Sequence, residues 1–545
     1  MEDIKYRWLP HHEGAVPPAG QGKRISTYTV ALEGWRRGLG LTFYSVFDDE
    51  NHLKVRYSIS SQDRTHYFTL SMGDKVSDEA FAVCEDKELT KQHLLKGNVP
   101  VPQGKMFEEH IDDEEIISSC ANMRFPLVVK PTNGNAGKGV FANIQSLEDF
   151  RDIVSYIRHE LNYPEIIVED YIPGEEFRIV VIEDRVLGAM NRRPTSVVGD
   201  GIHSIKQLIY RKNQIRKMNP HLTSRLIKVD REVEDLLHRD GHTLKTVPEE
   251  GERVFLREKS NLSAGGDAID VTDELTPELK NIAINAGKAI PGLAHYGVDM
   301  IVDKENNTGV ILEVNARPGI GGHLFPMEGR SRDFAKDIID YYFPETINSE
   351  RSSLYFDFDS ILDPIKKRTA ENVEVSAVPP LGKLYGKKYI VTGKVQVVGY
   401  RAWIKRQALK RNLHGYTENL DDGTVVVVVA GINEQEVNKF KNICFKGPEK
   451  AEVTDVTEFI WDKPVKIGFE IRKKELSQQE VRQIEKDKER IEREKAKIEQ
   501  EKEKIEKDRN RVSKKYSQVL NSRMWRYTAP VRRILDMVKK PFKSA

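Results

Sequence analysis

Residues 297–319, GVDMIVDKENNTGVILEVNARPG, hold two apolar runs, GVDMIV and TGVILEVN, joined through a polar loop at 303–309. Each run reads as a strand, yet Asp299 sits in the first and Glu313 and Asn315 in the second. A carboxylate inside an apolar strand is costly unless it is paired or bound to a metal. Glu313 and Asn315 are two residues apart, so they share one strand face. If the two runs pair, Asp299 falls beside them. Three oxygen donors on one sheet face suit Mg²⁺, which also takes phosphate oxygens and water. The alternative is that these are buried acids satisfied by neighbouring Lys or Arg.

Upstream, helix-like segments alternate with short apolar runs that end in Gly-, Pro- or Asn-rich loops. Strands are predicted in FPLVVKP, EIIVEDYI and RIVVIEDRVLGAM, and helices over 87–95, 147–160, 205–217 and 277–290. Asp86 and Ser146 are placed to cap the first two helices. Lys130 ends an apolar run and is followed by Asn133-Gly134-Asn135-Ala136-Gly137-Lys138-Gly139. Glycines there let backbone N–H groups approach phosphate oxygens closely, although a Gly-rich loop after a strand is more often a simple turn. In EIIVEDYIPGEEFRIVVI, Glu169 ends a strand and Glu176 follows seven residues later. A strand running into a Pro-Gly turn can expose the backbone of Tyr171 and Ile172 to an adenine edge, with Glu176 reaching a ribose. An ordinary surface hairpin has the same pattern.

Downstream, residues 346–385 mix aromatics, prolines and charges and read as a linker. Residues 386–474 then read as strand, helix, two strands, helix, strand, with the last strand at 465–472. That order predicts a ferredoxin-like βαββαβ sandwich. Residues 475–515 are almost all Glu, Lys, Arg and Gln, with Ile484, Ile491, Ile498, Ile505 and Val512 every seven residues. The positions three and four residues on are charged, so a coiled-coil seam is half empty. A solvated helix supported by Glu/Lys pairs and a weak homodimer both fit. The tail 516–545 interleaves Trp525, Tyr527, Val531, Ile534, Leu535, Val538 and Phe542 with Arg and Lys. Such a segment can lie on an anionic membrane surface or dock on another protein. Residues 1–80 read as a small α+β lobe.

The whole chain has 545 residues, 86 Lys plus Arg against 85 Asp plus Glu, and a net charge of +1. At roughly 150 residues per domain it should hold three or four units. Bulk positive charge for nucleic acid is lacking. Three widely spaced cysteines fit neither a metal site nor a disulfide framework and suit a reducing cytoplasm. No apolar run is long enough to span a bilayer, and MEDIKYRWLPHHE has no signal-peptide core.

Residues 81–345 resemble the ATP-grasp superfamily, in the group of cyanophycin synthetase and glutathione synthetase-like ligases. The resemblance is carried by DKELTKQHLLKGNVPVPQG, VVKPTNGNAGKGV, EDYIPGEEFR, RRPTSVVGDGIHSIKQLI, LREKSNLSAGGDAIDVTDELTP and GVDMIV…ILEVNARPG, in the family's order. It implies an ATP- and Mg²⁺-dependent (or Mn²⁺-dependent) carboxylate–amine ligase working through an acyl-phosphate. By that resemblance Lys87, Lys130, Gly137 and Gly139 lie at the ATP phosphates. Glu169, Tyr171 and Ile172 form the adenine hinge, Glu176 meets the ribose, and Asp299, Glu313 and Asn315 bind the metal. Arg192 would stabilise the acyl-phosphate, and Asn261, Gly265, Gly266 and Arg317 would meet substrate. Glutathione synthetases carry Arg two residues before that Asn. Here it is Lys259, which keeps the charge but not the bidentate fork, so the substrates, small-molecule or peptide, are not carried over.

The run GKVQVVGYRAWIKRQALKRNLHGYTENLDDG resembles acylphosphatase, with GPEKAEVTDV agreeing further on. The resemblance makes Gly393, Val395, Gln396, Gly399 and Arg401 its phosphate loop and Asn419 the residue that orients the attacking water. Val397 stands where that family usually has Gly, and a required positive φ would strain it. The fold class expected is therefore α+β multidomain: ATP-grasp, then a ferredoxin-like sandwich, then a charged helix. Alternatives are a principal acylphosphatase activity, or a membrane-associated scaffold in bacterial surface-polymer biosynthesis. The latter is suggested by NSRMWRYTAPVRRIL, which looks like a terminal segment of some glycosyltransferases. The location expected is cytoplasmic, with peripheral contact at the inner membrane face.

Overall fold

The structure, a computed structural model, describes residues 8–48, 50–132, 139–258, 260–375, 379 and 381–472, and beyond these 490, 494–495, 502, 509–515, 517–518 and 527–539. Gly137, Lys259 and most of the charged run, including four of its five heptad positions, lie outside the described residues. The chain divides into a unit over residues 1–472 and another over residues 473–545.

The apolar runs on either side of the 303–309 loop form strands His295–Asp303 and Thr308–Asn315, paired antiparallel with Asp299 opposite Glu313. They complete a five-stranded antiparallel sheet in the order Asp267–Asp270, Arg185–Arg193, Glu175–Ile182, His295–Asp303, Thr308–Asn315. A second, four-stranded sheet is ordered Gly104–Phe107, Ile166–Asp170, Leu127–Pro131, Phe141–Ile144. Helix Lys87–Lys96 starts as its sequence asks. The Asp86 side chain accepts from the N–H groups of Glu88 and Leu89, which satisfies two donors that the first turn leaves open. Ser146 caps Leu147–Ser155 in the same way.

Residues 346–385, expected to be a linker, hold strand Leu354–Tyr355, helix Phe358–Lys366 and strand Asn372–Glu374. Phe356, Phe358, Ile361, Leu362 and Ile365 are buried in one core with helix Ile25–Arg36 and the N-terminal strands. Aromatics that look scattered along the sequence are the apolar face of that helix and its approach. The N-terminal lobe is thus completed by a segment from beyond the central sheets, and Asn372–Glu374 becomes the edge of its sheet beside Gly40–Phe47.

The C-terminal sandwich has the five-stranded order Glu452–Ile460, Tyr385–Lys394, Val425–Gly431, His414–Asn419, Phe469–Ile471, with helices Tyr400–Leu409 and Glu434–Lys446. The strand after the second helix is Glu452–Ile460, which the sequence reading lacks; the expected strand at 465–472 is present in that sheet only as Phe469–Ile471. The alternation of Thr, Glu and Asp with apolar residues in Glu452–Ile460 marks an edge strand, whereas residues 465–472 looked more apolar. The latter is broken at Gly468, where φ is +82°. Val465–Lys466 pairs parallel to Leu354–Tyr355, and Phe469–Ile471 pairs parallel to His414–Asn419.

The valine run explains how the two parts join. Successive strand residues face opposite sides. Val425, Val427 and Val429 enter the sandwich's own core, whereas Val426, Val428 and Ala430 enter the core of the N-terminal lobe. A strand buried on both faces reads as a continuous apolar run, which these residues are.

In the second unit, helix Ala529–Lys539 exposes Val531, Ile534 and Leu535. No helix among the described residues is long and apolar enough to cross a membrane.

Candidate functional site

A cleft lies between the two antiparallel sheets and helix Lys87–Lys96, lined by Lys87, Lys91, Lys130, Ile167, Glu169 and Glu313 among others. Glu169 is buried, and its carboxylate is gripped by Lys130 Nζ at 2.6 Å and Lys91 Nζ at 3.3 Å. The strand register dictates the closer contact. Glu169 pairs with Val128, which puts Lys130 two residues along on the same face. Burial, with Lys130 beside it, holds the Lys87 ammonium below its ordinary value, against the pull of Glu313 and Glu169. Three lysines converging on a cleft with one buried acid leave surplus positive charge, which an anionic ligand can neutralise.

On the neighbouring sheet, Asp299 lies beside Arg178 across one strand boundary and Glu313 across the other. Arg178 donates Nε to Asp299 Oδ1 and Nη2 to Oδ2, both at 2.6 Å. Arg192 Nη1 donates to the same Oδ2 at 3.0 Å and to Glu176 Oε1 at 2.7 Å. Burial favours the protonated acid at Asp299, but the two guanidinium groups outweigh it and hold the carboxyl below the usual carboxylate range. At Glu176 burial wins over Arg192 and the carboxyl is pushed up. Asn315, with its amide turned to suit its neighbours, donates to Glu313 Oε1 at 3.2 Å and accepts from Arg178 Nη2 at 3.2 Å.

The structure therefore brings Asp299, Glu313 and Asn315 together, with Glu176 and Arg192 beside them and the lysine cleft sharing Glu313. It also fulfils the other reading of those acids, because Asp299 is fully engaged by arginines. The donor set, two carboxylates and an amide oxygen, is a hard one that fits Mg²⁺ rather than a soft metal. Tyr171 and Ile172 are half-buried where the Ile166–Asp170 strand ends, and the Tyr171 N–H is spent on Pro126 O at 3.1 Å. Gly139 has φ +72° and its open side faces Pro131.

Asn261 caps a short turn by accepting from Ser263 N–H at 2.8 Å, and Gly266 N–H closes onto Asn261 O at 3.0 Å. Gly265 has a φ of +107°, a conformation that glycine adopts without cost. A side chain at Gly266 would meet the carbonyls of Arg193 and Asn261. That loop leads into Asp267–Asp270, where Ala268 pairs with Arg192. Arg317 donates Nη2 to Glu85 Oε1 at 3.0 Å and lies over the Phe81 ring.

Three participants escaped the sequence reading. Arg178, in the quoted EDYIPGEEFR, is two residues from Glu176 and so on the same strand face, a signal that was present. Lys91 is four residues from Lys87 and so on the same helix face. Arg216 is fully buried and donates to Gly266 O at 3.1 Å and Asp267 Oδ1 at 2.8 Å, with Lys212 on the other Asp267 oxygen. No sequence spacing links partners so far apart along the chain.

In the C-terminal sandwich, Gly393 and Gly399 have φ of +122° and +77°, and Val395 is buried. Gln396 Nε2 donates to Leu420 O at 2.9 Å and Thr424 O at 3.0 Å, tying this loop to the one after Asn419. Arg401 begins helix Tyr400–Leu409, and its Nη1 reaches Arg472 O at 3.4 Å. Asn419 Oδ1 is buried with no hydrogen-bond partner among the described residues. Val397 adopts a φ of +62°. A β-branched residue in that conformation is strained by about 1–3 kcal/mol.

Comparison with known proteins finds two family matches along the chain. The RimK-like ATP-grasp domain family matches residues 84–200 and 224–341, and the acylphosphatase family matches residues 387–471. The glutathione biosynthesis bifunctional protein GshAB of Clostridium perfringens is 31% identical over 330 residues, covering 58% of this chain and 41% of its own. A cyanophycin synthetase of Trichormus variabilis is 34% identical over 337 residues, covering 61% of this chain and 35% of its own. This chain thus spans well under half the length of those relatives. The crystal structure of acylphosphatase from Bacillus subtilis is 34% identical, covering 16% of this chain and 99% of its own, with a TM-score of 0.15.

Proposed function

From a chain that is a RimK-like ATP-grasp domain fused to an acylphosphatase domain, we propose an ATP-dependent carboxylate–amine ligase whose appended domain hydrolyses acyl-phosphates. The observation that supports this most is the cleft where Lys87, Lys91, Lys130, Glu169 and Glu313 meet, with Asp299, Asn315, Glu176 and Arg192 on the adjoining strands.

Lys87 and Lys130 bind the ATP phosphates as point charges. Glu169, released from its lysines, accepts from the adenine amine, the backbone at Tyr171 and Ile172 flanks the base, and Glu176 takes the ribose. Asp299, Glu313 and Asn315 would hold Mg²⁺, which when bound offsets charge on the phosphoryl oxygens. A substrate carboxylate oxygen takes the γ-phosphoryl group and ADP leaves. Arg192 then lies beside the acyl-phosphate, and Asn261, Gly265 and Gly266 shape the place from which an amine attacks the acyl carbon. Phosphate departs and the nitrogen loses its proton, leaving an amide. Stabilisation by fixed cations is the main work of such a site.

Hydroxylamine in place of the amine tests this reading. ATP with the correct acid should give a hydroxamate, and Lys130→Met should abolish it. Amino acids, short peptides and uronic acids form the first panel. ATP-independent hydroxamate formation would count against the ligase.

In the second domain Arg401 and the loop N–H groups bind phosphate, while Asn419 holds a water in line. The domain discards acyl-phosphate that no amine captures. Arg401→Ala should then lower ATP turnover in the absence of an amine. The helix Ala529–Lys539, with Val531, Ile534 and Leu535 on one side and Arg532 and Arg533 between them, supports peripheral binding to an anionic membrane from the cytoplasmic side. Co-sedimentation with phosphatidylglycerol vesicles, lost on removing residues 516–545, tests that.

A further inference from the structure

Val397 is the one β-branched residue held at positive φ among the described residues, and its side chain is fully exposed at 102%. It packs against nothing, so the fold gains nothing from its methyl groups. The backbone around it is fixed by other residues. Val395 is anchored in the core beside Gly393, Gln396 is bonded to Leu420 O and Thr424 O, and Gly399 starts the next helix. Glycine would hold the same conformation without strain. A strained side chain with no intramolecular contact has its use outside the chain.

Its surroundings say what that use is. Leu420 is also exposed, at 37%, and its carbonyl accepts from the side chain of Gln396, the residue before Val397. Arg401 follows in the first turn of the next helix, and Asn419, whose buried Oδ1 has no partner among the described residues, directly precedes Leu420. A phosphate held by the loop must direct the rest of its molecule outward, past this apolar rim. We infer that Val397, with Leu420, is a specificity-determining residue that selects acyl-phosphates whose acyl group is bulky and apolar next to the carbonyl. This rests on the acylphosphatase reading and adds to it the class of acyl group.

The test compares kcat/KM for benzoyl phosphate and acetyl phosphate with the full-length protein. Partial burial of a valine side chain against a ligand corresponds to a roughly three- to tenfold preference. In Val397→Gly the benzoyl-to-acetyl ratio should fall by that factor, and Leu420→Ala should lower it in the same direction. Val397→Leu, apolar but not β-branched, should keep the ratio within about twofold, which separates apolar contact from backbone strain. A ratio in Val397→Gly equal to that of the wild type overturns the inference while the hydrolase reading stands. Hydrolysis of neither compound by the wild type overturns the hydrolase reading and this inference with it.

Discussion

Arg178 lies directly across the strand boundary from Asp299 and grips both of its carboxylate oxygens at 2.6 Å. This bidentate pair is what allows a carboxylate to remain charged in the middle of a buried sheet. Removing Arg178 leaves the buried Asp299 carboxylate with only the single bond from Arg192. Arg178→Met should therefore destabilise the central sheet by roughly 3 kcal/mol, read as faster amide exchange over 295–303 and 175–182. Adding Asp299→Asn to Arg178→Met should recover part of the loss, because the under-compensated buried charge is gone.

Lys130 and Glu169 test the nucleotide end of the cleft. Lys130→Met removes a cation that the proposed function places at the phosphates, and it should leave the strand register intact. ATP affinity should fall by about tenfold or more. Glu169→Gln, read by the same titration, should weaken ATP less than Lys130→Met and shift preference away from adenine nucleotides.

Val397 bears on stability as well as on selectivity. Relief of a positive φ should outweigh the extra freedom glycine gives the unfolded chain. Amide exchange over 395–400 should slow by about two- to fivefold in Val397→Gly, corresponding to about 0.4–1 kcal/mol. Faster exchange would mean that the valine stabilises the loop.

Two buried histidines set an acid limit. Burial lowers His295 to about 4 and His323 to about 3, and neither ring finds a hydrogen-bond partner among the described residues. The folded state keeps both neutral while the unfolded chain takes up protons near 6.5. The unfolded state therefore binds more protons as pH falls, and stability should drop between about pH 6.5 and pH 4. His295 alone accounts for about 3 kcal/mol over that range. Urea unfolding at pH 7 and pH 5, monitored near the central sheet, should show a smaller pH dependence in His295→Phe than in the wild type.

The architecture was legible wherever local pattern and chemistry coincided. Asp299, Glu313 and Asn315 were expected to meet if the two apolar runs around the short loop paired, and those runs do pair. Asp86 and Ser146 announced their helices by cap chemistry. The strain at Val397 followed from a β-branched residue in a glycine's place. What stayed hidden depends on contacts distant in sequence. Residues 354–365 looked like linker because their partners, Tyr28, Trp35 and Phe43, belong to the first helix and first strand of the chain. One strand of the sandwich was missed because Glu452–Ile460 is an edge strand with a weak pattern. Arg216 was missed because its role exists only once helix Ile205–Met218 lies against Asp267.

Isothermal titration of the folded full-length protein with ATP and Mg²⁺ tests the ATP-grasp site most directly. One ATP should bind per chain, about tenfold or more weaker in Lys130→Met and dependent on Mg²⁺ through Asp299 and Glu313. No heat of ATP binding to well-folded wild-type protein, or equal affinity in Lys130→Met, would contradict it.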